Sequence, residues 1–405
     1  MEKEKLIWKT NEISLNVTAG KIDSYRRTEE TKNTVRVYED GKIGIAGSLG
    51  EIDEAALTES AKKALAYGIE YPCELHSNTI NADDAHEIFS QKEFIPKMQG
   101  FLDRVTKECP NFTISDKIKL SELRHTYENS KGAHLFSSSS WMEFSLIFQN
   151  KGAGNLFDAD YEGYVGEFDE DAAVRDCKLL HDSFYKEVDI KEGVYPVFML
   201  SEVLLGRTID HFFANAYASG ASLLSGKIGE KVFNEKFTMY DDRSHATCPP
   251  ACVFDDEGEF APDFKQVFVK NGVLTNVLTN KMYSKIFNLP SAATAGATYD
   301  GVPQFTALTC CTEPTASSAA EITKEKAILV MMASGGDMTP AGHFATPVQL
   351  AFLVENGEIV GKLPDIGISG EYFELLGKDY LGTAEKAFFP SLRKSYMACR
   401  MKVTK

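Results

Sequence analysis

Apolar and polar residues alternate at three places where the chain also carries a turn signal. Thr34-Val-Arg-Val-Tyr38 alternates, meets Asp40-Gly41 and resumes as Lys42-Ile-Gly-Ile45. Gln266-Val-Phe-Val-Lys270 leads through Asn271-Gly272 to Val273-Leu-Thr-Asn-Val-Leu278, and Ala351-Phe-Leu-Val-Glu355 leads through Asn356-Gly357 to Glu358-Ile-Val360. Asp-Gly and Asn-Gly accept the positive φ of a two-residue type I′ turn, so each pattern predicts a β-hairpin. A further strand is predicted over 141–149, with Met142, Phe144, Leu146 and Phe148 on one face. Between these stretches the apolar period lengthens to that of a helix. Asp53 is placed to cap a helix over 54–67, with Leu57, Ala61, Ala64 and Leu65 in one stripe and Gly68 at its end. Phe94, Met98, Phe101, Leu102 and Val105 mark a second helix, stopped by Cys109-Pro110. A third runs over 169–184, its acidic start at Asp169, Glu170 and Asp171 suited to the helix dipole. A fourth is expected to follow a strand over 195–200 and to continue to about Asn215. Hairpins mixed with isolated helices, without regular βαβ alternation, read as an α+β fold with mixed and antiparallel sheets. The polar stretch 186–193 divides the chain into an expected N-terminal α+β domain, 1–190, and a mostly-β domain, 191–405.

Composition narrows the function. The 405 residues are 43% hydrophobic and 25% charged, the balance of a folded globular protein. The net charge of −16 opposes binding to nucleic acid or to an anionic membrane, both polyanions. The longest apolar run, Ala327–Ala333, is about a third of the ~20 residues a membrane-spanning helix needs. The start, Met1-Glu-Lys-Glu-Lys-Leu6, lacks the basic and apolar regions of a secretion signal. Eight cysteines without regular spacing then read as reduced thiols, and a cytoplasmic location is expected.

Most chemical signatures fail on spacing. Gly220 to Lys227 resembles a phosphate loop but has five residues between its glycines, and Ile228 stands where a Ser or Thr is required; it reads as a small-residue turn before a helix. No Gly-x-Ser-x-Gly elbow is present. No two of the eight histidines lie three to five residues apart, which argues against two imidazoles gripping zinc from one helical turn. One irregular cluster of soft ligands remains, His245-Ala-Thr-Cys248-Pro-Pro-Ala-Cys252. Cysteine–histidine nucleophilic pairs stay open, because such partners meet only in the fold.

The order of several longer segments carries more. Leu223-Leu-Ser-Gly-Lys-Ile-Gly-Glu-Lys-Val232 is followed by Asp241-Asp242, Phe254-Asp-Asp-Glu-Gly258, the hairpin at Val267 to Leu274, Ser334-Gly-Gly-Asp-Met-Thr-Pro340, Gly342-His-Phe-Ala345 and the hairpin at 351–359. This succession resembles the C-terminal domain of the TldD/PmbA family, also called modulators of DNA gyrase or TldD/TldE peptidases. Tyr127-Glu-Asn-Ser-Lys-Gly132 and the early hairpins extend the resemblance over nearly the whole chain.

In that family, TldD-like members carry His-Glu-x-x-x-His at the start of a helix after an apolar strand; the histidines hold zinc and the glutamate serves as general base. Here the matching residues are Ser201, Glu202 and Gly206; an ungapped register from Ser225-Gly226 substitutes Leu205 and Asp210. Neither register supplies two imidazoles, and His211 lies further along. Glu202 reads as a helix-start carboxylate and His211 as a helix-surface or packed histidine. The resemblance therefore implies a TldE/PmbA-like accessory, non-catalytic subunit with no cofactor of its own. Zinc is then expected only in a TldD-like partner. That partner forms a heterodimer with this chain, a homodimer being the alternative, and the substrate is an unfolded or extended peptide. Two other readings stay open. One is a stand-alone peptidase using a displaced metal at His245, Cys248 and Cys252 or a cysteine nucleophile; the other is a peptide-binding regulator of the gyrase-modulator type.

Overall fold

The structure is a computed structural model that describes every residue except 52, 153–154, 307–308 and 393. It is an α+β fold. The first half is built on long strands: β1 (Glu2–Thr18), β2 (Lys21–Glu39), β3 (Lys42–Leu49), β4 (Thr79–Asp83), β5 (Phe112–Asn129), β6 (His134–Asn150) and β7 (Ala159–Val165). They form one sheet in the order β3-β2-β1-β5-β6, and the far edge of β6 is shared by β4, which runs parallel to it, and antiparallel β7. The hairpin predicted at Asp40-Gly41 closes β2 on β3 with φ of 51° and 74°, as a type I′ turn requires.

Three helices join these strands: α1 (Glu54–Ala64), α2 (Gln91–Glu108) and α3 (Glu170–Phe184). Asp53 and Asp169 cap α1 and α3, their side chains accepting from the N–H groups of Ala56 and Ala172 at 3.0 Å. Gly68, at φ 70°, ends the turn that follows α1. Where α1 crosses β3 only glycine fits, because a Cβ on Gly44 would lie 2.1 Å from the carbonyl oxygen of Ala61.

The second half begins with β8 (Gly193–Leu200). Short strands follow: β9 (Met239–Asp242), β10 (Lys265–Lys270), β11 (Val273–Leu274), β12 (Ala295–Gly296), β13 (Gln304–Phe305) and β14 (Cys310–Thr312). Then come β15 (Ala327–Ala333), β16 (Asp337–Met338), β17 (His343–Glu355), β18 (Glu358–Lys362), β19 (Ile366–Glu371), β20 (Tyr380–Glu385) and β21 (Ser395–Thr404). Strand β8 pairs with β15 and β21, β21 with β19, β19 with β17, and β17 again with β15, so five strands close into a ring. A separate sheet runs β11-β10-β9-β14, which leaves β14 at its edge.

Both faces of the ring strands are covered, which explains why β8 and β15 read as continuous apolar runs rather than alternating ones. Val197 and Met199 of β8 join one core with Ile328, Leu353 and Met397. Phe198 points the other way, into a core shared with Phe101 of α2, Phe144 of β6 and Phe184 of α3. Helices α2 and α3 thus pack between the first sheet and the ring, and one hydrophobic cluster spans both halves of the chain.

Three expectations for the second half are corrected, the first two of which share a cause. The helix expected over 201–215 is broken into α4 (Ser201–Gly206), a 3₁₀ turn at Ile209–Phe212 and α5 (Ala214–Ser219). The return strand expected to reach Leu278 stops at Leu274. One contact explains both. Phe213 is extended (φ −70°, ψ 129°), and around it Leu278 N–H donates to the Phe212 carbonyl at 2.7 Å while Ala214 N–H donates to the Leu278 carbonyl at 3.1 Å. Each segment gives up its own regular structure to bridge to the other. Gly220 to Gly226 is a turn region, as expected, but no helix follows it.

Candidate functional site

Strand β8 ends at Leu200 and delivers α4 to the junction of the two halves. A cavity of about 320 Å³ opens there. Its walls come from several distant parts of the chain. Gly163 to Gly166 close one side; Leu200, Ser201 and Glu202 form the floor; Ala246, Thr247 and Pro249 overhang it. Strand β14 with Glu313 and Pro314 forms the opposite wall, and Glu385, Lys394 and Ser395 complete the rim. A second cavity of about 410 Å³ adjoins the first through shared Tyr164, Glu202, Thr309 and Cys310, and extends to Gly206, Ile209, Cys248, Pro250 and Ala251. The two make one groove with Glu202 between them.

The residues singled out from the sequence separate here. Ser201, Glu202 and Gly206 share the groove, with Glu202 and Gly206 exposed and Ser201 buried. Ser201 Oγ lies 3.2 Å from Ser395 Oγ and 3.4 Å from Thr312 Oγ1. Thr312 continues to Thr383 and Thr383 to Tyr380, each at 2.8 Å, so a chain of hydroxyls runs from the groove into the core. His211 is turned away. Its Nδ1 accepts from Leu223 N–H at 3.4 Å, its ring packs 5.3 Å from Tyr372, and burial pushes its pKa below the usual histidine value. Leu205 is fully buried and Asp210 borders a different depression.

A zinc site does not fit this donor set. Gly206 offers no side-chain ligand atom, Ser201 spends its hydroxyl on Ser395 and Thr312, and His211 faces elsewhere. The alternative cluster does not gather either. His245 sits between Asp84 (Nδ1 to Oδ2, 2.7 Å) and Ser137 (Nε2 to Oγ, 3.1 Å), Cys248 contacts Thr309 Oγ1 at 2.9 Å, and Cys252 contacts His125 Nδ1 at 3.0 Å. Among the described residues, no three His, Cys, Asp or Glu side chains converge as metal ligands.

Two of these contacts imitate catalytic pairs. Ser137, His245 and Asp84 have the connectivity of a hydrolase triad, but the burial is inverted: the serine is 2% exposed, whereas the Asp84 side chain is 62% exposed. A nucleophile must meet substrate, and this one is sealed, so the trio ties the 245 loop to the first sheet. Cys252 and His125 are likewise enclosed, with Trp8 stacked 3.6 Å from the imidazole. Burial drives the thiol up to about 12 and the imidazole well below its usual value, so both are neutral at pH 7 and no thiolate–imidazolium pair forms. At the groove itself burial raises Cys248 and Cys311 and takes Cys310 up to about 12. These thiols line a wall without being activated.

The groove suits binding of an extended chain. Among the described residues strand β14 pairs only with β9, and its residues line the cavity, so its outer edge presents backbone groups to whatever enters. Tyr164, Tyr240, Thr312, Glu313, Glu385 and Ser395 were not anticipated from the sequence. No local motif marks them, since each belongs to a segment that reads as an ordinary strand or loop.

Comparison with known proteins agrees with this architecture. A family model described as the PmbA/TldA metallopeptidase C-terminal domain matches residues 192–405, and one for PmbA/TldA metallopeptidase domain 1 matches residues 9–67. A relative named as a metalloprotease, from Archaeoglobus fulgidus, is 25% identical over 391 residues, covering 91% of this chain and 89% of its own length. The crystal structure of TldE from Thermococcus kodakarensis matches 100% of this chain and 97% of its own with a TM-score of 0.78 at 18% identity. A Thermotoga maritima protein named for modulation of DNA gyrase matches 100% of this chain and 96% of its own with a TM-score of 0.77 at 20% identity. At such identities the two structures speak for the fold, and the family model, which spans more than half of the residues, for the lineage: the chain belongs to the PmbA/TldD metallopeptidase family.

Proposed function

We propose that this protein is a TldE-like, non-catalytic subunit that binds extended peptide and works with a TldD-like homologue, which supplies zinc and the hydrolytic step. The observation that carries the reading is the makeup of α4. In the register that sets Glu202 at the family's general base, Ser201 and Gly206 take the histidine positions, and Glu202 and Gly206 both line the groove. A carboxylate without a Lewis acid has no water of lowered pKa to act on. What the groove retains is room, an open strand edge and polar side chains at its rim, the requirements for holding a peptide backbone.

The test is reconstitution. The full chain and a homologue bearing an intact His-Glu-x-x-x-His motif are purified apart and mixed, and cleavage of an unstructured peptide is followed by mass spectrometry. Cleavage by the mixture that exceeds the homologue alone at least tenfold, with none from this chain alone, supports the proposal. Cleavage by this chain alone, abolished by Glu202→Gln, overturns it.

A further inference from the structure

The charges around the groove are unevenly satisfied. Glu202, Glu313 and Glu385 are exposed onto the same cavity, and among the described residues none of the three carboxylates has an ion-pair or hydrogen-bond partner. The cavity's two lysines have other company. Lys265 Nζ lies 3.7 Å from Asp242 Oδ2 and 4.9 Å over the Tyr240 ring, and that Asp242 oxygen is fully buried with no hydrogen-bond partner. Lys394 also borders a small internal cavity lined by Asp160, Glu162 and Asp176, and the nearby Lys394 charge partly opposes the effect of burial on Asp160. The adjoining cavity contains one charged residue, Glu202, against walls of Ile209, Pro250, Ala251 and Cys310, with Gly206 leaving one side open. An apolar sleeve with a single carboxylate at its mouth matches a side chain with an aliphatic stem and a cationic head.

Resting on the peptide-binding reading above, we propose that the groove selects basic segments. A lysine or arginine side chain enters the cavity beside Gly206 with its stem against Ile209 and Pro250 and its charge on Glu202. Flanking basic residues meet Glu313 and Glu385, while the backbone follows the edge of β14. Neutral peptides gain the backbone contacts only, and acidic peptides meet the carboxylates of Glu202, Glu313 and Glu385, whose repulsion is stronger in a groove than in bulk water. The chain's net charge of −16 favours encounter with cationic peptides but does not by itself place them.

The test uses the full chain and three fluorescent, unstructured peptides of equal length that carry lysine, glutamine or glutamate at the same two positions. Binding is read by anisotropy at low and high salt. The lysine peptide is expected to bind at least tenfold more tightly than its glutamine twin, with the advantage shrinking as salt rises. Glu202→Gln combined with Glu313→Gln and Glu385→Gln brings the two within about twofold, and the effect of salt on the preference vanishes with the charges. The same charge change made far away, at Glu29, Glu59 and Glu235, leaves the preference in place and separates site from net charge. Gly206→Leu, at a position where a Cβ meets nothing within 4 Å, fills the adjoining cavity and weakens the lysine peptide selectively. Equal affinity for the lysine and glutamine peptides, or a preference that survives the triple groove variant, overturns the charge selection and leaves peptide binding standing. Failure of all three peptides to bind overturns the peptide-binding reading together with it.

Discussion

At Cys252 a thiol touches an imidazole and gains no reactivity. Side-chain identity and distance are those of a catalytic pair, but both groups are enclosed, and the neutral forms win because a buried ion pair must repay a desolvation cost of several kcal/mol per ion. The groove thiols Cys248, Cys310 and Cys311 follow the same rule. Alkylation of the native protein at pH 7.5 should therefore label exposed Cys73 first and half-buried Cys310 and Cys311 more slowly, with the five buried cysteines reacting only after denaturant is added. Peptide mapping by mass spectrometry reads the order. Faster labelling of Cys248, Cys252 or Cys310 than of Cys73 would return a cysteine nucleophile to consideration. Ser137, His245 and Asp84 make the same point with a hydroxyl: spacing and type are visible in a residue list, and access is not.

Among the elements, those with local causes appear where the pattern puts them. Asp169 precedes α3 and accepts the N–H of Ala172, so its truncation should cost about 1 kcal/mol, the usual worth of an N-cap. Urea denaturation of Asp169→Ala measures this, and a loss below a few tenths of a kcal/mol would show that packing alone holds the helix. The hairpins at Asp40-Gly41, Asn271-Gly272 and Asn356-Gly357 are equally local, with positive φ at all six residues. The segment after Leu200 is not. Its helical pattern is genuine, yet Phe213 leaves the helix to pair with Leu278, a partner no window around residue 213 contains.

For the whole molecule, the decisive feature is the fusion of the two halves. Phe198 of the ring is fully buried in the one cluster that also holds Phe101, Phe144 and Phe184 of the first half, so Phe198→Ala should cost about 3–5 kcal/mol and lower a single unfolding transition. Two separate calorimetric transitions would contradict a shared core. A polar seam also joins the halves. Arg36 pairs with Glu4 at 2.8 Å and donates to the carbonyl of Asp256, Tyr71 donates to Glu257, and Lys281 N–H donates to the other Glu257 oxygen at 3.0 Å.

Burial, with the charge of Asp255 beside it, pushes Glu257 up to about 8. A carboxyl raised in the fold is protonated there while the unfolded chain has already released its proton. The stability this group contributes is thus greatest below its ordinary pKa and is lost as pH rises toward 8. Glu257→Gln can still accept from Lys281 N–H and can donate to the Tyr71 hydroxyl. It should flatten the fall in stability between pH 5 and 8, as measured by denaturant titration at several pH values. An unchanged slope would mean that Glu257 is ionised in the fold throughout.

What the sequence determined by itself was the set of short-range structures and the residue types that stand at the start of α4. Turn dipeptides, caps and apolar stripes act within a few residues, and the spacing of histidines along one helical turn is likewise a local property. The tertiary structure decided the rest. It broke the helix after Gly206, turned His211 away from Ser201 and Glu202, and scattered His245, Cys248 and Cys252 onto separate partners. It also assembled a groove from residues as far apart as Gly163 and Ser395. Those outcomes rest on burial and on contacts between distant segments, and neither quantity exists until the chain has closed on itself.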